Sequence, residues 1–208
     1  MEKKIREILD RLLKSENIEI NDIPNIDLYM DQVTTFMNTH LSDYKRYPED
    51  KIMTKTMINN YSKNRLLPPS NKKRYSREHV FLLIMIYYYK SILSISDIQN
   101  LLSPLSGKYF PENKENGLSL EEIYGKMAEQ MEVDKPLSRE QILATMENNS
   151  HLFDSVDMND ADREEIAMFT FISQLCYDIY LRKQLIERLL DQTYPPDKPA
   201  KKSKPKKE

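Results

Sequence analysis

The sequence predicts an all-α protein, with room for no more β structure than a minimal two-stranded wing. Three observations lead there. Glycine occurs three times in 208 residues, at Gly107, Gly117 and Gly125, and few glycines leave few positive-φ turns from which to build hairpins. Apolar residues recur at three- and four-residue spacing in one segment after another. Ser, Thr, Asp or Asn stands just before most of these segments, where the free N–H groups of a helix start need a side-chain acceptor.

Residues 1–26 form an N-terminal helix and connector: Ile5, Ile8, Leu9, Leu12 and Leu13 make one stripe over 2–13, and 15–24 is the connector. Asp27 offers an N-cap for a helix over 28–41 that turns Val33, Phe36, Met37 and Leu41 one way, and a polar loop follows over 42–50. Thr54 caps a short helix, 54–63, with Met57, Ile58 and Tyr61 on its buried side. Lys55, Thr56, Asn59, Asn60 and Lys63 are left to face water or a ligand. Leu66-Leu67-Pro68-Pro69 ends this helix, because two prolines remove backbone donors and favour extended geometry before them. Ser70 to Arg74 is a polar, basic loop, Tyr75 follows, and Ser76 caps a helix over 77–91. That helix is apolar nearly all round, which suits the centre of a core or, equally, contact with a partner subunit. Ser96 with Gln99 reads as a capping box for a short helix that Pro104 stops. Residues 27–104 therefore make one compact unit.

The region 105–194 differs in charge. From Pro111 to Glu165 there are 15 Asp or Glu against 5 Lys or Arg. Capping boxes at Ser119/Glu122 and Ser138/Gln141 start helices near 120–132 and 139–149. Asn159 or Asp160 starts the longest helix, to about Gln192, with Ile166, Phe169, Ile172, Leu175, Cys176, Ile179, Ile186, Leu189 and Leu190 on one broad side. That side either packs on 120–150 or forms a seam between subunits, and Cys176 is expected as a packed residue within it. Pro195 and Pro196 end the helix, and residues 195–208 hold six lysines with no large apolar residue, which predicts a disordered Lys-rich tail.

Several function classes lose their footing. One cysteine leaves no disulfide and no thiolate cluster for a metal, and His40, His79 and His151 stand in no ligand spacing. No G-x-G-x-x-G or P-loop pattern is present. Glu121-Glu122 and Glu164-Glu165 are carboxylates of helix first turns, favoured there by the helix dipole. No nucleophile, base and orienter stand together, so neither an enzyme nor a cofactor is expected. The longest apolar run, Phe81 to Tyr89, is too short for a membrane span, and the N-terminus lacks an apolar signal segment. A cytoplasmic protein is expected.

Against a net charge of −2, the segment Lys51 to Arg77 carries eight Lys or Arg and no Asp or Glu. A one-signed patch across three successive elements suits a polyanion, and duplex DNA presents roughly one negative charge per 1.7 Å of its axis. Phosphate contacts give affinity, whereas base edges must be read by polar side chains on a helix that fits the major groove. Asn59 and Asn60 suit adenine edges, Lys55 and Lys63 suit guanine or phosphate, and the loop Asn71–Arg74 is placed to touch neighbouring backbone.

The stretches TKTMINNYSKNRLLPP, KRYSREHVFLLIMI and LSISDIQNLL, in that order, resemble the DNA-binding domain of MerR-like winged helix-turn-helix regulators. Within that superfamily the chain is similar to a bacterial family named only as domain of unknown function 1836 (DUF1836), typical of low-GC Gram-positive bacteria. The resemblance implies a sequence-specific transcriptional regulator that binds double-stranded DNA as a homodimer, with any small-molecule effector unspecified. It implies recognition-helix positions at Thr54, Lys55, Thr56, Asn59 and Asn60, with Lys63 beside them. Wing positions fall at Lys72, Lys73 and Arg74, and Tyr75 anchors the wing base. Asn59 stands where such relatives usually carry arginine, and Arg65 where they carry glycine. The wing, 70–75, is shorter than theirs. A second function stays open beside the first: a protein–protein adaptor that keeps the winged-helix fold without binding DNA.

Overall fold

The computed structural model describes residues 1–110 and 117–194. Seven helices account for most of it: α1 (Glu2–Lys14), α2 (Met30–His40), α3 (Lys55–Lys63), α4 (Arg77–Tyr89), α5 (Ile95–Tyr109), α6 (Leu120–Ser150) and α7 (Asp160–Thr193). Short 3-10 turns stand at Ile20–Asp22 and Ser42–Tyr44. The only sheet among the described residues is a two-stranded one, β1 (Leu28–Tyr29) with β2 (Arg74–Tyr75), antiparallel, Leu28 opposite Tyr75 and Tyr29 opposite Arg74. The chain is thus all-α apart from one minimal ribbon. The Lys-rich tail lies outside the described residues.

Helix α4 is the axis of the main core. Every residue from His79 to Ile86 is buried, as expected of a helix with no polar face. Around it gather Val33 and Met37 of α2, Ile58 and Tyr61 of α3, Ile98 and Leu102 of α5, and Leu120, Tyr124 and Ala128 of α6. Phe81 stacks on Tyr124 with ring centroids 4.8 Å apart, and the Tyr124 hydroxyl donates to the Ile18 carbonyl at 2.6 Å. Ile20 then lies so close to α6 that a Cβ on Gly125 would sit 2.4 Å from its Cδ1. A side chain at 125 would require the tip of Ile20 to move aside. Arg77 closes the same corner. It donates to the Ile20 carbonyl at 2.8 Å and pairs with Glu121 at 3.0 Å.

A second, smaller cluster holds Ile5, Met146 and Phe171, with Ile142, Leu143, Met168 and Leu175 against it. It joins α1, the C-terminal half of α6 and the N-terminal half of α7. Helix α6 therefore threads both clusters.

Five expectations need correction, four of them at helix boundaries. Pro104 does not stop α5, which runs on to Tyr109. Losing one backbone bond is outweighed because Ile98 and Leu102 before the proline and Leu105 and Tyr109 after it all meet the main core. Likewise, the helices expected at 120–132 and 139–149 are one helix through Pro136, and the Ser138/Gln141 box is unused. Burial of Tyr124 and Ala128 on one side and Met146 on the other holds both flanks of that proline, while Lys135 ties the segment to the Ser15 carbonyl at 2.7 Å. The cap of α5 is Ser94, accepting from the Asp97 N–H at 3.2 Å, rather than Ser96. Helix α2 begins at Met30, not 28, because Leu28 and Tyr29 are drawn into the ribbon. Where the expected caps stand alone, they form as read: Thr54 accepts from Met57 N, Ser119 from Glu122 N and Asn159 from Asp162 N.

On α7, Cys176 is exposed, not packed. It shares an outward face with Phe169, Ile172 and Ile179, which are 69 %, 52 % and 60 % exposed. The buried residues of α7 are Ala167 and Phe171 near its start and Leu190 at its end, with Met168, Leu175 and Ile186 packed partly buried beside them.

Candidate nucleic-acid interface

Helix α3 shows the two-faced pattern its spacing requires. Ile58 and Tyr61 are buried, while Lys55, Thr56, Asn59, Asn60 and Lys63 are all exposed. Thr54 is the N-cap, its hydroxyl taking the Met57 N–H at 3.2 Å, so its side chain is occupied by the helix start.

What aims α3 is a residue outside the basic block. Asn38 on α2 donates to the Met53 carbonyl at 2.7 Å and accepts from Ile52 N at 3.1 Å. This pair of bonds clamps the approach to α3 alongside α2, with Ile52 and Met53 buried beneath it. Sequence reasoning passed over Asn38. Its one signal was an amide in a mid-helix position, where Asn is a poor choice unless its side chain bonds to backbone. An open hollow of about 440 Å³ lies beside this clamp, lined by Thr34, Thr35, Asn38, Thr39, Met53, Thr54 and Lys55. Two of its hydroxyls are already engaged, Thr34 donating to the Asp31 carbonyl at 2.9 Å and Thr54 accepting from Met57 N. Lys55 is paired with Asp31 of α2, both side chains well exposed, so the ammonium is positioned at little cost to its accessibility.

After α3 the chain makes a tight reversal. Asn71 N donates to Arg74 O at 3.1 Å and Arg74 N to Asn71 O at 2.8 Å, leaving Lys72 and Lys73 as the two turn residues. Both have positive φ, 48° and 64°, the signature of a type I′ hairpin turn that normally selects Asn or Gly. The base of this hairpin is not self-contained: β2 pairs with β1, from before α2. Arg74 is fixed by the Tyr29 hydroxyl at 3.3 and 3.2 Å and lies over its ring. Tyr75 is buried, 4 % exposed, so it stands at the hairpin base and cannot touch a ligand.

His79 locks that base to the core. Its ring lies edge-on to Tyr75 and to Phe110, at 5.5 and 4.8 Å, and its Nδ1 accepts from Ser76 N at 3.0 Å to cap α4. Burial pushes the imidazole pKa down, while the Pro68 and Pro69 carbonyls oppose the shift. The ring is therefore held neutral next to the proline turn.

Of the eight basic residues, Arg77 faces inward and serves the fold. Lys51, Lys63, Arg65, Lys72 and Lys73 are exposed and make no ion pair among the described residues. Arg65 also has positive φ, 57°, one residue past the C-cap of α3. Every non-glycine residue with positive φ among the described residues is thus basic, and all three lie between 65 and 73. A left-handed residue with a Cβ costs about 1–2 kcal/mol. Glycine would remove the strain, yet each position carries a long cation instead. The fold demands these angles: Arg65 closes α3, with Leu66 N donating to Tyr61 O at 2.9 Å and Arg65 N to Ser62 O at 3.1 Å, and Lys72 and Lys73 are the two residues of the hairpin turn.

No group of three or more His, Cys, Asp or Glu among the described residues is placed to hold a metal ion. No helix among them is long and apolar enough to cross a membrane.

An all-α chain with an exposed basic helix-and-hairpin surface is the class that emerges. Residues 18–127 match the sequence profile of the family described as "Domain of unknown function (DUF1836)". That span covers more than half of the chain, and the protein belongs to this family. No curated protein and no solved structure matches it.

Proposed function

We propose that the protein is a sequence-specific DNA-binding regulator of transcription, built on a MerR-like winged helix-turn-helix unit. The observation that carries this reading is the set of three strained, exposed cations at Arg65, Lys72 and Lys73, next to a helix whose outer face offers Asn59 and Asn60. Exposed cations without an ion pair, gathered on one surface, suit a polyanion. Amides on a narrow exposed helix supply the groups that distinguish bases. In this assignment Asn59 and Asn60 read base edges. Lys55, Thr56 and Lys63 flank them on phosphate or base, and Lys72, Lys73 and Arg74 hold the backbone from the hairpin.

Selection of bound duplexes from a random pool, followed by anisotropy titrations at several salt concentrations, tests it. An enriched motif is expected, with affinity falling steeply as salt rises. Lys72→Ala and Lys73→Ala should weaken all duplexes alike and each lower the log–log salt slope by about one. Asn59→Ala and Asn60→Ala should instead flatten the sequence preference. No enrichment and no binding at low salt would overturn the reading. Recovery of a protein partner that ignores the Lys72 and Lys73 substitutions would then favour the adaptor function.

A further inference from the structure

Lys90 is a cation that the basic surface does not use. It is the C-cap residue of α4, outside the block from Lys51 to Arg77, and it is half-buried. It makes no ion pair among the described residues. Its ammonium donates instead to the Ile52 carbonyl at 3.1 Å and lies over the Tyr87 ring, 4.8 Å from the centroid. Burial pushes its pKa down, so holding the charge there costs stability. The C-terminal end of α4 and the Tyr87 ring offset part of that cost. A methionine would fill similar space without a charge. What it could not supply is the donor.

Ile52 and Met53 are buried and lead directly into Thr54, the N-cap of α3. Buried main-chain groups need partners, and here the partners are side chains of two other helices. Asn38 of α2 accepts the Ile52 N–H at 3.1 Å and donates to the Met53 carbonyl at 2.7 Å. Lys90 donates to the Ile52 carbonyl from the end of α4. The approach to α3 is thus braced by an amide from one helix and an ammonium from another. Helix α3 has nine residues and buries only Ile58 and Tyr61. A helix that short does not hold in isolation, so its direction depends on how its start is anchored.

We infer that Lys90 is a positioning residue for α3: its bond to the Ile52 carbonyl, together with the Asn38 clamp, fixes the direction in which α3 presents Asn59 and Asn60. The consequence for sequence recognition rests on the DNA reading given above, whereas the brace is a property of the free protein. Base readout by an amide needs two hydrogen bonds of normal length at once, so it tolerates little displacement of the helix. A lysine on its flexible stem follows a phosphate through the same displacement. Loss of the brace therefore lowers discrimination between duplexes and spares non-specific affinity.

Lys90→Met and Lys90→Arg test this in two measurements on the full chain. The first is hydrogen exchange of the free protein at the Met57 and Ile58 amides, which donate to Thr54 Oγ1 and O. Lys90→Met should speed their exchange about tenfold with the α4 amides unchanged, and Lys90→Arg, which keeps a charged donor, should stay within about threefold of the parent protein. The second is titration of the selected motif and of a random duplex at several salt concentrations. Lys90→Met should cut the preference for the motif about tenfold at an unchanged log–log salt slope, and Lys90→Arg should retain most of it. Lys90→Gln replaces Lys90→Met in both measurements if the latter does not fold. Unchanged exchange in α3, or an intact preference, overturns the inference. So does a salt slope lowered by about one, which would make Lys90 a phosphate contact, or a Lys90→Arg variant as impaired as Lys90→Met, which would assign the effect to packing. The exchange measurement contains no DNA. Failure of the brace there leaves the DNA reading standing, and failure of DNA binding overturns that reading while exchange alone judges the brace.

Discussion

The region from Ile18 to Ala128 and the lobe of α1, the far half of α6 and α7 treat apolar residues in opposite ways. In the first, α4 is buried on all sides and the surrounding helices each contribute two or three fully covered side chains. In the second, the buried cluster is three residues, Ile5, Met146 and Phe171. Ile8, Leu12, Val133, Leu137, Phe169, Ile172 and Ile179 stay about half or more in water. The first region surrounds a central helix completely, with Leu190 of α7 closing one side of its core. The second has apolar surface left over, and such surface normally marks contact with something else. The family profile ends at residue 127, beside the last main-core residue of α6, Ala128; beyond it, Leu190 of α7 is buried in that core, with Ile186 and Tyr194 against it.

Unequal burial sets up the largest expected effect. Phe81→Ala removes a ring that is 0 % exposed and stacked on Tyr124, at a cost of about 3–5 kcal/mol in chemical denaturation. Phe171→Ala should cost less, because the small cluster around it can collapse into the gap. Hydrogen exchange should separate the two further. The Phe171 variant should expose amides of α1, the end of α6 and the start of α7, leaving α4 protected. Equal costs and a uniform loss of protection would mean that the two clusters unfold as one and that the contrast drawn here is wrong.

That contrast was only half legible in the sequence. Helix α4 announced itself by lacking a polar face, and the isolated caps at Thr54, Ser119 and Asn159 fixed starts that the structure keeps. Pro104 and Pro136 misled because a proline's local cost is read directly from sequence, whereas the tertiary burial on both sides of it is not. On α7 the periodicity gave the stripe but not its orientation: spacing says which residues share a face, not whether that face meets protein or solvent. The same holds at the basic site. Exposure of Asn59, Asn60 and Lys63 followed from the pattern around Ile58 and Tyr61. Arg77 looked like a member of the basic block, and only its distances to Glu121 and Ile20 show it facing inward. The clamp by Asn38 depends on a contact fourteen and fifteen residues away in the chain, which no local signal encodes.

Acid provides a second, gentler way to set the regions apart. Burial lowers the His79 pKa in the folded state, so the fold prefers the neutral ring. The stabilisation is fully present above the ordinary histidine value, about 6.5, and is lost as pH falls from there toward the depressed folded value. Protonation would also place a hydrogen on Nδ1, the atom that accepts from Ser76 N. The nearby Glu78 and Asp27 charges only moderate the shift. Denaturation midpoints should therefore drop on going from pH 7.5 to below 6. His79→Gln keeps a capping acceptor without a titrating proton, and in that variant the drop over this window should shrink. The loosening should start at the hairpin base and α4, not in the distal lobe. An unchanged pH slope in His79→Gln would assign the acid sensitivity to other groups.

The smallest effect bears most directly on function, because it has opposite signs in two assays. Lys72 and Lys73 occupy left-handed turn positions where a side chain costs about 1–2 kcal/mol relative to glycine. Glycine gives back part of that through the extra freedom of the unfolded chain, about 0.5–1 kcal/mol. Each Lys→Gly substitution should thus stabilise the protein by roughly 0.5–1 kcal/mol. The same substitution removes a cation from the surface assigned to phosphate, so each should weaken duplex binding and flatten its salt dependence. Arg65→Gly, at the third such position, should behave alike. Its φ of 57° lies just beyond the end of α3, where a glycine makes a good helix stop. A region kept for packing alone would show the two quantities moving together. Strained cations kept for a ligand require stability to rise while affinity falls, and glycine variants that gain stability at no loss of DNA affinity would remove the reason for placing the interface there.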